Sequence, residues 1–168
     1  MDQADRDAAL PSETAAAAPS GADLRQRLAE LADWYAHLSS DTLVDIGYFY
    51  AATASFKDPF NTVHSREGIA DVFRHMFQTL EQPVFVIREQ LLDGDQAFIT
   101  WDFRFCKTGK AYALHGGSHL RFNARGKVTR HRDYWDSAEE LLHKLPLIGP
   151  PLRLLRRMLS VRDEGPST

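Results

Sequence analysis

VFVIREQLLDGDQAFITWDFRFCKTGKAYALHGGSHLRFNARGKVTRHRDYW, residues 84–135, decides the fold. Three turn clusters divide it: Asp93-Gly94-Asp95, Lys107-Thr108-Gly109 and Asn123-Ala124-Arg125-Gly126. Each carries a glycine, the residue that tolerates the positive φ of tight hairpins. The runs between them are rich in Val, Ile, Phe, Tyr and Trp, and apolar residues alternate with polar ones as in strands with one buried face. The spacing predicts strands over 84–92, 97–106, 112–122 and 128–135, joined into an antiparallel four-stranded meander.

Upstream, the period changes. Ile69, Val72, Phe73, Met76, Phe77 and Leu80 recur at helical spacing, with Ser65 as N-cap, Glu67 in the first turn and Pro83 beyond the end. Leu24, Leu28, Leu31, Tyr35 and Leu38 form a second stripe, predicting a helix over 23–37; residues 39–42 stop it and cap a short helix through about residue 48. A short strand over 54–57 runs into the turn Asp58-Pro59-Phe60-Asn61. Downstream, Ser137 and Glu140 make a capping box for a helix ended by Pro146, and a basic helix over 152–159 follows Gly149-Pro150-Pro151. Helices followed by a curved antiparallel sheet give an α+β domain with the helices on one sheet face. Its expected limits are 23–160, with helices over 137–160 appended, an acidic, Ala-rich disordered tail over 1–22 and a polar tail over 161–168.

Composition bounds the partners. The 168 residues carry 20 basic and 23 acidic side chains for a net charge of −3, which disfavours nucleic acid. A single cysteine, Cys106, excludes an internal disulfide framework and suits a reducing cytoplasm. No apolar run approaches the roughly 20 residues that span a bilayer. The terminal helix sets five apolar side chains beside Arg153, Arg156 and Arg157; its shortness favours packing over a cavity mouth or against a second copy, as in a homodimer, above membrane contact.

The last strand carries the candidate chemistry. Alternation sets Thr129, His131, Asp133 and Trp135 on one face and Arg130, Arg132 and Tyr134 on the other. The arginine face meets water, leaving an imidazole, a carboxylate and an indole on the enclosed side. Ala97, Ile99, Trp101, Phe103 and Phe105 form an apolar face that continues this lining. The plain alternative is a core in which His131 and Asp133 satisfy each other or the backbone. Asp58, before a proline at a strand end, either points into a cavity or shapes the turn. His115 and His119 share a strand face near His131, but no cysteine or HExxH spacing supports a metal, and glycine motifs for nucleotide cofactors are absent. No cofactor is expected.

The stretch from Ala54 through Asp58 to Phe60, with Arg66-Glu67-Gly68-Ile69 opening a helix, resembles the strand, aspartate and helix start of ketosteroid isomerases and related polyketide cyclases. Residues 118–128 resemble the penultimate hairpin of those isomerases, and residues 130–136 resemble the last strand of the cyclase-like group. The resemblance covers about residues 24–135 and implies the SnoaL-like, nuclear-transport-factor-2-like cone, enclosing a pocket for a small apolar molecule. It implies that Asp58 matches the proton-abstracting aspartate of the isomerases and Asp133 lies near the acid/base aspartate of the cyclases. In the same reading His131 is a candidate donor or proton shuttle. Tyr35 lies near the isomerase tyrosine, with Trp34 an equal candidate one residue away.

Trp101, Phe103, Ser118 and Trp135 complete the implied lining. Ser118 replaces the oxyanion-binding aspartic acid of the isomerases, whose neutral carboxyl works with a tyrosine to stabilise an enolate. In the hairpin, Ser118 opposes His131 if Ala124 and Arg125 form a two-residue loop, and His119 does so if Gly126 adds a bulge. The implied activity is isomerase, cyclase or dehydratase chemistry by carboxylate general acid/base catalysis on a carbonyl-bearing substrate. The alternative is a non-catalytic ligand-binding or protein-interaction module.

Overall fold

The computed structural model describes residues 21–135. Helix α1 spans Gly21–Ala36; a 3-10 turn over Thr42–Asp45 leads into the single turn α2, Ile46–Phe49, and then strand β1, Tyr50–Lys57. Strand β2 is only Thr62–Val63, and α3 covers Arg66–Thr79. The meander follows as β3 (Glu81–Asp93), β4 (Gln96–Lys107), β5 (Lys110–Phe122) and β6 (Val128–Trp135). The helix expected after Ser137, the basic helix over 152–159 and residues 1–20 lie outside the described residues.

Ser65 caps α3 as its sequence requires, accepting from the Gly68 amide at 3.0 Å. Pro83 sits in β3, which among the described residues is an edge strand paired only with β4, so its missing donor interrupts no central ladder there. The six strands run β2-β1-β6-β5-β4-β3. All neighbours are antiparallel except β1 and β6, which are parallel. That parallel join sets the first described strand against the last described one, so residues 81 positions apart in sequence meet. Helix α1 packs on β3 and α3 on β1 and β3. The inner face of β4 is apolar as expected, with Ala97, Ile99, Trp101, Phe103 and Phe105 all buried.

The β5–β6 register differs from both sequence alternatives. Leu120 opposes His131, and Ser118 opposes Asp133. Two features produce the shift. The connection is a longer loop in which Asn123 Oδ1 accepts from the Arg125 and Lys127 amides, and Gly126, at φ 67°, donates its amide to the Asn123 carbonyl. An extra residue then enters β6, because Arg121 pairs with Arg130 but Phe122 pairs with Val128. Thr129 is this bulged residue, so Val128 and not Thr129 continues the inward face with His131.

Candidate functional site

The inner sheet face and α3 enclose a cavity of about 300 Å³. Its walls are mainly aromatic and aliphatic, including Phe73, Met76, Phe85, Phe103 and Leu114, with Asp58, Asn61, His75, Thr79, Lys107 and Asp133 as polar members. Trp101 and Trp135 line it as well. A much smaller void of about 10 Å³ continues behind Asp133 and Trp101 and is lined by Tyr35, Ser118 and His131. Of the residues singled out in the sequence, Asp58, Trp101, Phe103, Asp133 and Trp135 therefore share the main cavity, while Tyr35, Ser118 and His131 stand behind it. Trp34 lines neither space; its indole N–H donates to the Thr42 carbonyl at 3.0 Å, tying α1 to the following turn.

Asp133 is the junction of a buried hydrogen-bond chain. Trp101 Nε1–H donates to Ser118 Oγ at 2.9 Å; an indole nitrogen can only donate, so the serine proton is free to go elsewhere. It goes to Asp133 Oδ1, 2.5 Å away across the strand pair. His131 Nε2 meets the same Oδ1 at 2.7 Å, and its Nδ1 lies 2.7 Å from the Tyr50 hydroxyl and 3.1 Å from that of Tyr35. The two phenols also bond each other. His131 and Ser118 are each only 2% exposed, against 16% for the Asp133 side chain. Both oriented donors fall on Oδ1, and Oδ2 has no hydrogen-bond partner among the described residues.

Burial first, and then the electrostatic influence of Tyr50 and of Asp133, pushes Tyr35 well above the ordinary phenol range. Burial likewise raises Tyr50, opposed by its bond to Tyr35 and assisted by Asp133. Both therefore remain neutral hydroxyls.

Asp58 has a different setting. Its Oδ1 accepts from the Phe60 amide at 2.7 Å and the Asn61 amide at 2.5 Å, and the Asn61 side-chain amide reaches both its oxygens. The carboxylate shapes the turn while bordering the cavity.

His115 and His119 do not join His131. They lie on the outer sheet face, His115 against Asp102 at 2.9 Å and His119 against Gln96 at 3.0 Å. No group of three or more His, Cys, Asp or Glu side chains able to hold a metal occurs among the described residues. Likewise, no described helix is long and apolar enough to cross a membrane.

Two participants are hidden from a reading of the sequence. Tyr50 merges into the short helix there, because Ala51, Ala52 and Thr53 obscure the strand period that begins with it. Gly116 clears the path of the indole: a Cβ there would lie 2.5 Å from Trp101 Cη2. The adjacent glycines of β5 are the available signal, since glycine inside a strand marks a close approach.

A helix-backed, strongly curved sheet around an apolar pocket with a carboxylate in its wall defines a cone-shaped α+β small-cavity protein. The chain belongs to the SnoaL-like domain family, which it matches over residues 31–131. Its fold is that of an NTF2-like protein of unknown function from Burkholderia pseudomallei, with 17% identity, a TM-score of 0.61 and coverage of 69% of this chain and 92% of that one. It is also that of a ketosteroid isomerase-like protein from Catenulispora acidiphila in complex with trimethylamine: 20% identity, TM-score 0.59, 76% and 95% coverage. TerC, co-crystallised with polyporic acid, aligns at 14% identity and a TM-score of 0.59 over 69% and 93% of the two chains. None of the curated proteins matches the chain in sequence.

Proposed function

We propose that the cavity binds a small, largely apolar, carbonyl-bearing molecule and that Asp133 is the acid/base group that meets it. The observation carrying this reading is the asymmetry of the carboxylate: Oδ1 is held by Ser118 and His131, whereas Oδ2 has no described partner in a residue lining the cavity. A carboxylate fixed by one oxygen keeps the other oriented, which is what general base catalysis needs. In the reaction, Oδ2 takes a proton from the carbon beside the carbonyl and returns it to the rearranged product, so no proton is gained or lost overall. Asp58 is the weaker choice, because its carboxylate already accepts four hydrogen bonds within its own turn.

Small-molecule complexes of fold relatives, with trimethylamine and with polyporic acid, support a ligand-holding cavity. Steroid isomerisation is not supported: the Ser118 hydroxyl is directed at Asp133 and the Tyr35 hydroxyl lies among Tyr50 and His131, so neither is aimed at a developing oxyanion. That same observation favours the second reading, a module that binds without chemistry.

Thermal-shift screening of carbonyl compounds, with polyporic acid and trimethylamine as first probes, tests binding. Each hit is then incubated in deuterated water. Deuterium uptake at a ligand carbon that disappears in Asp133→Asn supports the enzyme; binding without exchange supports the module; no hit at all sinks both.

A further inference from the structure

We propose that Tyr35 and Tyr50 are positioning residues that fix the His131 tautomer, and through it the orientation of Asp133, without touching the ligand. The inference rests on the reading of Asp133 as the group that meets the ligand. Neither tyrosine lines the main cavity, and both are buried, Tyr50 completely.

Counting protons gives the direction of every bond. Tyr35 Oη, Tyr50 Oη and His131 Nδ1 form a closed triangle, with no other described partner for either hydroxyl. If Nδ1 is unprotonated, Tyr50 donates to it along the shorter edge and Tyr35 donates to the Tyr50 oxygen, so both protons find acceptors. If Nδ1 carries a proton it can only donate, the single edge between the two oxygens holds one of their two protons, and the other buried hydroxyl is left without an acceptor. Such an orphan costs about 1–3 kcal/mol. An unprotonated Nδ1 requires the single imidazole proton on Nε2, where it donates to Asp133 Oδ1 at 2.7 Å. The opposite neutral tautomer would set the Nε2 lone pair against the carboxylate. Raised phenol pKa values, caused first by burial, keep both tyrosines protonated and so keep the triangle supplied.

The tyrosines thus act at a distance. They bond the ring at Nδ1, Phe56 stands perpendicular to it at 4.9 Å between centroids as a side wall, and its Nε2 occupies Oδ1. Tyr35 accordingly changes role: the position implied a donor to substrate, and the geometry makes it a donor to its neighbour. The pair must be treated together, because Tyr35 Oη, 3.1 Å from Nδ1, replaces the Tyr50 bond if Tyr50 alone loses its hydroxyl.

Two-bond ¹H–¹⁵N correlation spectra of the histidine rings read the tautomer directly. Wild-type His131 should show the Nε2–H pattern, Tyr50→Phe should retain it, and the double variant Tyr35→Phe with Tyr50→Phe should lose it to a mixture. Polyporic acid affinity is read in parallel, with Asp133→Asn as the reference. The double variant should lose about tenfold, the size of one net hydrogen bond. A wild-type spectrum with Nδ1–H or a doubly protonated ring overturns the proposal even if the double variant does not fold. So does a folded double variant that keeps the Nε2–H pattern, or one that loses it while binding the probe as wild type does. Failure of the cavity reading shows elsewhere, as Asp133→Asn binding the probe unchanged; the tautomer assignment then stands or falls on the spectra.

Discussion

Asp58 and Asp133 differ in what their oxygens already hold. The Asp58 carboxylate accepts two backbone amides and the Asn61 side chain, so Asp58→Ala should lose about 1–2 kcal/mol of stability through the amides left unpaired. Asp58→Asn, which keeps an acceptor oxygen, should lose much less; urea unfolding midpoints of the two variants make the comparison. Gly116 poses the opposite problem, since the space above it is taken by an indole. Gly116→Val should displace Trp101 from Ser118 and cost about 1–3 kcal/mol by overpacking, seen as a lower urea midpoint and altered tryptophan fluorescence. Individual side chains of this site were legible as types and faces. Their partners were not: that Ser118 meets Asp133 depends on one bulged residue at Thr129, and a one-residue shift of register reassigns every cross-strand pair.

Strands β3, β4 and β5 carry a separate cluster on their outer face. Asp102 accepts from Arg88 on one side and from His115 at 2.9 Å on the other, with Arg104 3.5 Å away. The Arg88 bonds first, and then His115, lower its pKa to about 2. The folded value lies below the unfolded value of about 3.9, so the unfolded chain binds more protons between the two. The stabilisation is therefore complete above roughly pH 5 and is lost as pH falls through about 2. Melting curves of wild type and Asp102→Asn should accordingly differ at pH 7 and converge towards pH 2; a gap that persists in acid would assign the difference to packing. At this scale the sequence was most informative where period and punctuation agreed, as in α3 with its Ser65 cap and in the four meander strands. It was least informative for β2, whose two residues are strand only because β1 lies beside them.

For the whole molecule, the cone follows from a legible order of helices and hairpins, but the parallel join of β1 to β6 is a long-range pairing that no local pattern announces. That join brings Tyr50 to His131, which is why the polar chain behind the cavity could not be read in advance although most of its members could. The same architecture sets binding against stability. A cavity of about 300 Å³ deprives the side chains around it of contacts they would make in a filled core. Val72 borders that space from α3 and belongs to no hydrogen-bond chain. Val72→Phe should therefore extend into the cavity and hold or raise the unfolding midpoint, by up to about 1 kcal/mol, as cavity-filling changes commonly do. It should also remove the thermal shift produced by any ligand that stabilises the wild type. The two effects have one cause, the occupation of the same volume. A lowered midpoint would mean that the added ring has no room and the site is closed at α3, whereas an unchanged ligand shift would put the bound molecule outside the cavity.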